Sequence, residues 1–194
     1  MKGVIKNMDL KQQIEKFKPF NKQEEKDKEV MIKYIEKFDD VLTRNNEFAH
    51  FTASAWAVNK QKTKLLMIYH NIYKSWAWTG GHADGQSDLL NTAICELKEE
   101  TGVKNVKILD NDIFSLEIIC VKGHIKREKY VSSHVHLNLT YFLEVDETEV
   151  LQIKKDENSG VKWIDLKDIE DVSNDEWMIE NVYKKLKEKM KKYT

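Results

Sequence analysis

Met31, Tyr34, Ile35, Phe38 and Leu42 recur at intervals of three and four residues, so the chain after Asn21 is predicted to form a helix with one apolar face. Asn21 with Glu24 three residues on makes a cap-like start. A shorter helical pattern, Met8 to Phe17, precedes it, and Pro19 separates the two. From His50 the texture changes. Phe51 to Val58 and Leu65 to Tyr69 read as strands, with the polar Asn59 to Thr63 as the turn of a hairpin. Phe114 to Lys122 and Val131 to Val145 read as further strands, and Gly160 to Ile164 as a short one. Asp88 to Thr101 is predicted helical, with Asp88 as N-cap and Gly102 where a C′ glycine belongs. A small helix is expected near Leu166 to Ile169 and a longer one after Ser173, where Ser173 and Glu176 fit a capping box. Ile179, Val182, Tyr183, Leu186 and Met190 form the apolar face of that last helix. Its lysine-rich end, Lys184 to Lys192, is expected to be solvated, with cations suiting the helix dipole. Strands and helices in this order imply a mixed sheet covered by helices.

Composition narrows the classes. The chain has 194 residues, 32 Lys plus Arg against 33 Asp plus Glu, and 41% hydrophobic residues. That is one ordinary domain with a small extension and no apolar run of membrane-spanning length. Met1 to Met8 lacks an apolar core, so no secretory signal is expected. Cys95 and Cys120 alone cannot make a disulfide scaffold, and a reducing, cytoplasmic setting is expected. A near-neutral chain gives no reason to expect nucleic-acid binding. Only Arg44 and Arg127 are arginine, so a phosphate grip must lean on lysine, metal or backbone N–H groups.

The helix Asp88 to Thr101 carries the chemistry. Leu89, Leu90, Ala93, Ile94 and Leu97 gather on one side. Glu96, Glu99 and Glu100 gather beside them, within an arc of roughly 100° at about 3.6 residues per turn. Like charges one turn apart destabilise a bare helix, and acidic groups near its C-terminus oppose the dipole. A hard divalent cation reverses both penalties, and oxygen ligands at this density suit Mg²⁺ or Mn²⁺.

The segment Gly80 to Val103, GGHADGQSDLLNTAICELKEETGV, resembles the Nudix box G-x5-E-x7-R-E-U-x-E-E-x-G-U, where U is a bulky aliphatic residue. Gly81, Glu96, Leu97, Glu99, Glu100, Gly102 and Val103 fall in register, seven of nine specified positions. A strand ending in tryptophan before the box and Trp163-Ile164 after it agree with the family, and the resemblance covers about His50 to Asp171. GGHADG is similar to a bacterial subgroup with unassigned substrate. Two positions depart as a pair: Ser87 replaces the first glutamate of the box and Cys95 its arginine. In the family these side chains brace the loop-helix-loop by a salt bridge. Losing both strands no charge, so a replacement brace is expected. Thr79 stands where many relatives have proline.

The resemblance implies an α/β fold, a Nudix-type α/β/α sandwich with a mixed β-sheet and an N-terminal helical extension. Residues 1–47 are the expected extension, packed on the core, and residues 48–194 the Nudix domain. The implied activity is metal-dependent hydrolysis of the diphosphate linkage in a nucleoside diphosphate joined to another moiety X. The implied cofactor is Mg²⁺ or Mn²⁺, held by Glu96, Glu99, Glu100 and the Gly80 carbonyl. Glu96, or Glu157 from a later loop, would take the proton of the attacking water. Partners are then a small-molecule, nucleotide-derived diphosphate and, in a further expectation, a second copy in a homodimer. Two alternatives are a non-catalytic Nudix-fold nucleotide sensor and an isopentenyl diphosphate isomerase-like enzyme. The isomerase needs a catalytic cysteine in a strand-end loop and a histidine-rich metal site, whereas Cys95 lies on the box helix.

His134 and His136 share one strand face with Asn138 and Thr140, while Val135, Leu137, Leu139 and Tyr141 take the other. Two imidazoles on a polar face suit a substrate cleft, and two visible ligands are too few for a zinc site. His82 is expected to join this cleft, and Trp76 and Trp78 either to stack on a base or to pack beside the strand. The basic stretch Gly123 to Tyr130 is a candidate to touch phosphate, or an exposed hairpin loop.

Overall fold

A computed structural model describes residues 10–126 and 128–193. Residues 10–16 form the first helix, α1; Met8 and the rest of the N-terminal stretch lie outside the described residues, as does Arg127. α2 (Lys22–Lys37) starts at Asn21, whose side chain accepts from Glu24 N, and ends at Phe38. α3 (Leu89–Thr101) is the acidic helix. Asp88 Oδ1 accepts from Asn91 N at 3.0 Å, and Gly102 closes it at φ +78°, where a Cβ would lie 2.8 Å from the Gln152 side chain.

The main sheet is mixed. β1 (Ala49–Val58) lies at its centre, parallel to β9 (His134–Val145) over ten register pairs and antiparallel to β2 (Lys64–His70) and β4 (Thr79–His82). β3 (Ser75–Ala77) and β10 (Asn158–Asp165) pair β2, and β5 (Val106–Ile108) and β6 (Ser115–Val121) pair β9. One face of β1 presents Phe51, Ala53, Ala55 and Ala57. Their small size lets α3 lie close on the sheet, where Ala93 and Leu97 join the core with them. α1 and α2 extend the same layer through Leu10, Ile14, Met31 and Ile35.

The opposite face is apolar at one end only. Trp56, Val58 and Phe142 pack under the C-terminal helix, through Val182, Tyr183, Leu186 and Met190. Beyond that cover β1 turns polar, with His50, Thr52 and Ser54, and β9 does so with His136, Asn138 and Thr140. The result is an α/β/α sandwich with a cleft where the second helical layer stops.

Several sequence expectations need correction. Val131 to Val145 is two strands, because Ser132 and Ser133 separate β8 (Lys129–Val131) from β9. The basic stretch is a hairpin of β8 with β7 (His124–Lys126). The small helix is α4 (Ile169–Val172), shifted toward the C-terminus behind a turn. The last helix is capped by Asp175, which accepts from Met178 N, while the Ser173 hydroxyl is buried without a partner. It runs as α5 (Glu176–Met178), a π-helical turn (Ile179–Tyr183) and α6 (Lys184–Met190).

The lysines of α6 are not all solvated. Lys185 and Lys189 are buried. Lys185 Nζ donates to Gln23 Oε1 and Glu117 Oε1, and Lys189 Nζ to Glu24 Oε1 at 2.6 Å. Ser115 Oγ donates to the same Glu24 oxygen at 2.6 Å. Burial opposes ionisation of Glu24, yet Lys185 and Lys189 together hold its carboxyl below the usual range. This network ties α2 and α6 to β6.

Candidate active site

A cleft of about 810 Å³ opens on the polar end of the sheet. Its floor is set by the parallel register, which places His50 beside His136 and Thr52 beside Asn138. Asn138 Oδ1 accepts from Thr52 Oγ1 (3.0 Å) and Ser54 Oγ (2.8 Å), and its Nδ2 donates to Glu117 Oε2. The floor is therefore hydrogen-bonded through to the buried lysine network below it.

One wall carries the acidic residues. β4 pairs Gly80 with Ser54 and Gly81 with Ala53, bringing the glycine pair against α3. A Cβ on Gly81 would lie 2.2 Å from Glu96 Oε1, so only glycine leaves room for that carboxylate. Gly80 N donates to Glu100 Oε2 at 3.0 Å. Glu100 is 3% exposed, and burial pushes its carboxyl up to about 8. Burial also raises Glu96. Glu99 is exposed instead and pairs with Lys154 at 3.0 Å. Lys154 reaches Glu157 as well, at 2.9 Å. Glu96, Glu100 and Glu157 line the cleft. The loop bearing Lys154 and Glu157 is pinned to α3 by Asn158, whose buried Nδ2 donates to Glu100 O at 2.9 Å.

The other wall carries imidazoles. His50, His82, His134 and His136 form a group with neighbouring ring centroids 5.0 to 5.3 Å apart. Trp76 lines the cleft under Lys162, whose Nζ lies 4.3 Å from its ring centroid. Trp78 is buried edge-on against Tyr183. Cys95 is exposed on α3. Arg44 makes a two-pronged bond to Asp84, at 2.8 Å each, and Gly85 N donates to Leu42 O. The loop before α3 is thus braced from the N-terminal segment, not by Ser87 and Cys95.

The NUDIX domain family matches residues 48–186. The chain belongs to the Nudix hydrolase superfamily. An RNA pyrophosphohydrolase of Pelagibacter ubique is 34% identical over 119 residues, 60% of this chain and 74% of that protein. A probable DHNTP pyrophosphohydrolase of Lactococcus lactis subsp. cremoris is 32% identical over 99 residues, 50% of this chain and 55% of that protein. The NUDIX domain of Shewanella oneidensis NrtR, solved with ADP ribose, shares the fold with a TM-score of 0.52 at 16% identity, over 84% of this chain and 97% of that one. No helix among the described residues is long and apolar enough to cross a membrane.

Within this Nudix fold, the residues expected to act in catalysis, metal or substrate binding all line one cleft except Glu99: Trp76, Gly80, His82, Glu96, Glu100, His134, His136 and Glu157. Three residues escaped the sequence reading. His50 is visible only through its parallel register with His136. Lys154 sits in an unpatterned polar loop and Asn158 at the start of β10 just after it, and nothing in their local sequence marks them.

Proposed function

We propose that this Nudix protein is a metal-dependent hydrolase that cleaves a diphosphate linkage in a nucleotide-derived substrate. The observation that carries the reading is Glu100. A carboxylate this buried, with one N–H partner and Glu96 beside it, calls for a cation. The donors Glu96, Glu99, Glu100 and the Gly80 carbonyl are all oxygen, which fits Mg²⁺ or Mn²⁺. Bound there, the cation would neutralise phosphoryl charge and acidify the attacking water. Gly81 keeps Glu96 at the cleft wall, and Asn158 fixes the loop that brings Glu157 opposite. Glu157 or Glu96 takes the water proton, and Lys154 ties Glu157 to Glu99 through its two ion pairs. Trp76 and the imidazole wall give the organic half of a substrate an aromatic surface. The two pyrophosphohydrolase relatives support the same reaction class.

The test is hydrolysis with Mg²⁺ or Mn²⁺ across nucleoside triphosphates, dinucleoside polyphosphates, nucleotide sugars, ADP-ribose, NADH, coenzyme A and 5′-triphosphate RNA. Glu99→Gln with Glu100→Gln is the control. Metal-dependent cleavage lost in the control supports the hydrolase and names X. No cleavage of any compound, with ligand-dependent thermal shifts retained, overturns it in favour of a sensor.

A further inference from the structure

The imidazole wall has chemistry of its own. His50, His82 and His136 each offer a ring nitrogen, and the three atoms lie within 4.8 Å of one another. They come from three adjacent strands, β1, β4 and β9, so the sheet holds their backbones rigidly. His50 is 4% exposed. Its Nδ1 lies 2.9 Å from Asn46 O, which makes Nδ1 the protonated nitrogen and leaves Nε2 with a lone pair. That Nε2 is buried and has no hydrogen-bond partner. A backbone carbonyl behind one ring nitrogen is the usual way of orienting the other toward a metal. His134 repeats the pattern, with Nδ1 2.8 Å from Ser132 O and Nε2 3.1 Å from His136 Nε2.

We infer that His50, His82 and His136 bind a borderline divalent transition metal, Zn²⁺ foremost, at a site separate from the carboxylates of α3. Imidazole nitrogen suits zinc and disfavours Mg²⁺, whereas the carboxylate cluster has the opposite preference. A tetrahedral zinc with nitrogens at about 2.0–2.1 Å needs them about 3.3 Å apart, so the separations between the nitrogens shorten by up to about 1.5 Å on binding. Three protein nitrogens leave a fourth position open. That arrangement belongs to open zinc sites and not to closed structural ones. Its donors are ring nitrogens and not the α3 carboxylates, so loss of this metal and loss of hydrolysis are separable, although the same imidazole wall lines the proposed substrate cleft.

The experiment strips the full chain with chelator and titrates it with Co²⁺ in excess Mg²⁺, which occupies oxygen sites. The expected result is an intense visible absorption saturating at one equivalent, as tetrahedral nitrogen ligation gives, and its loss on adding Zn²⁺. His50→Ala and His136→Ala should each weaken Co²⁺ by more than the roughly 10–100-fold that loss of an outer-shell partner brings. Glu99→Gln with Glu100→Gln should leave the spectrum unchanged. No intense band in the wild type, a band that survives both histidine variants, or one lost in the glutamate variant overturns the site. If the histidine variants do not fold, ¹⁵N-histidine spectra of the wild type decide. Zn²⁺ must shift the ring nitrogens of His50, His82 and His136 together, and unshifted resonances refute it.

Discussion

Lys185 Nζ lies 2.9 Å from Glu117 Oε1, and both side chains are shut off from solvent. The other Glu117 oxygen accepts from Asn138 and Thr140, so the pair stands directly beneath the cleft floor. Removing one partner leaves a buried charge uncompensated, which costs about 3–5 kcal/mol. Lys185→Met should lower the unfolding free energy by that order. Lys185→Met with Glu117→Gln should recover much of the loss, since no formal charge then remains at the pair. Urea denaturation of the four proteins of this cycle measures both effects.

Gly81→Ala sets a methyl group against the flexible end of Glu96. The chain should fold with little loss of stability, because the carboxylate can swing away. Turnover should fall by about 100-fold, the scale of a 1 Å misplacement in an active site. Parallel thermal melts and hydrolysis assays separate the two outcomes.

Lys154 is a cation between Glu99 and Glu157 and competes with any metal for them. Lys154→Met should tighten Mg²⁺ by no more than about fivefold, because part-exposed pairs are worth about 1 kcal/mol or less. Isothermal titration at low salt is the suitable measurement. Weaker Mg²⁺ binding in the variant would show that Lys154 organises the carboxylates instead of competing for them.

His70 gives an acid-sensitive contribution to stability. Burial lowers it to about 4, and its Nδ1 accepts from Ile72 N at 3.2 Å, which the protonated ring cannot do. The folded value lies below the unfolded value of about 6.5, so the fold binds fewer protons than the unfolded chain between them. Stability from this group is whole above about pH 6.5 and drains as pH falls toward 4. Across that window the loss is roughly 2–3 kcal/mol. His70→Asn keeps an acceptor without the titration, so its unfolding midpoint should change less between pH 7.5 and pH 5 than that of the wild type, both measured in chelator.

The box helix and the two faces of β9 were legible in the sequence because each is a local, periodic pattern. Leu89, Ala93 and Leu97 mark one side of α3, and His136 alternates with Leu137 on β9. The buried lysines were not legible. Lys185 and Lys189 look like any cations near a helix C-terminus, and their partners Glu24 and Glu117 are distant in the chain. His50 was missed for a related reason. Its meaning depends on a parallel pairing with His136, and parallel register has no local signature. The break at Ser132 and Ser133 inside an otherwise strand-like run is a departure that composition alone could not fix.

Glu24 also bears on how the protein can be dissected. It lies on α2, outside the stretch 48–186 that matches the NUDIX domain, yet it is the counter-ion of Lys189 and shares Lys185. A fragment cut to the family boundary would keep Lys185 in its interior with one carboxylate fewer, would lose Lys189, and would uncover the sheet face that Leu10, Ile14 and Met31 close. Excising the matched domain as a portable cassette should therefore yield an aggregating chain, and grafts or fusions need the first two helices left in place.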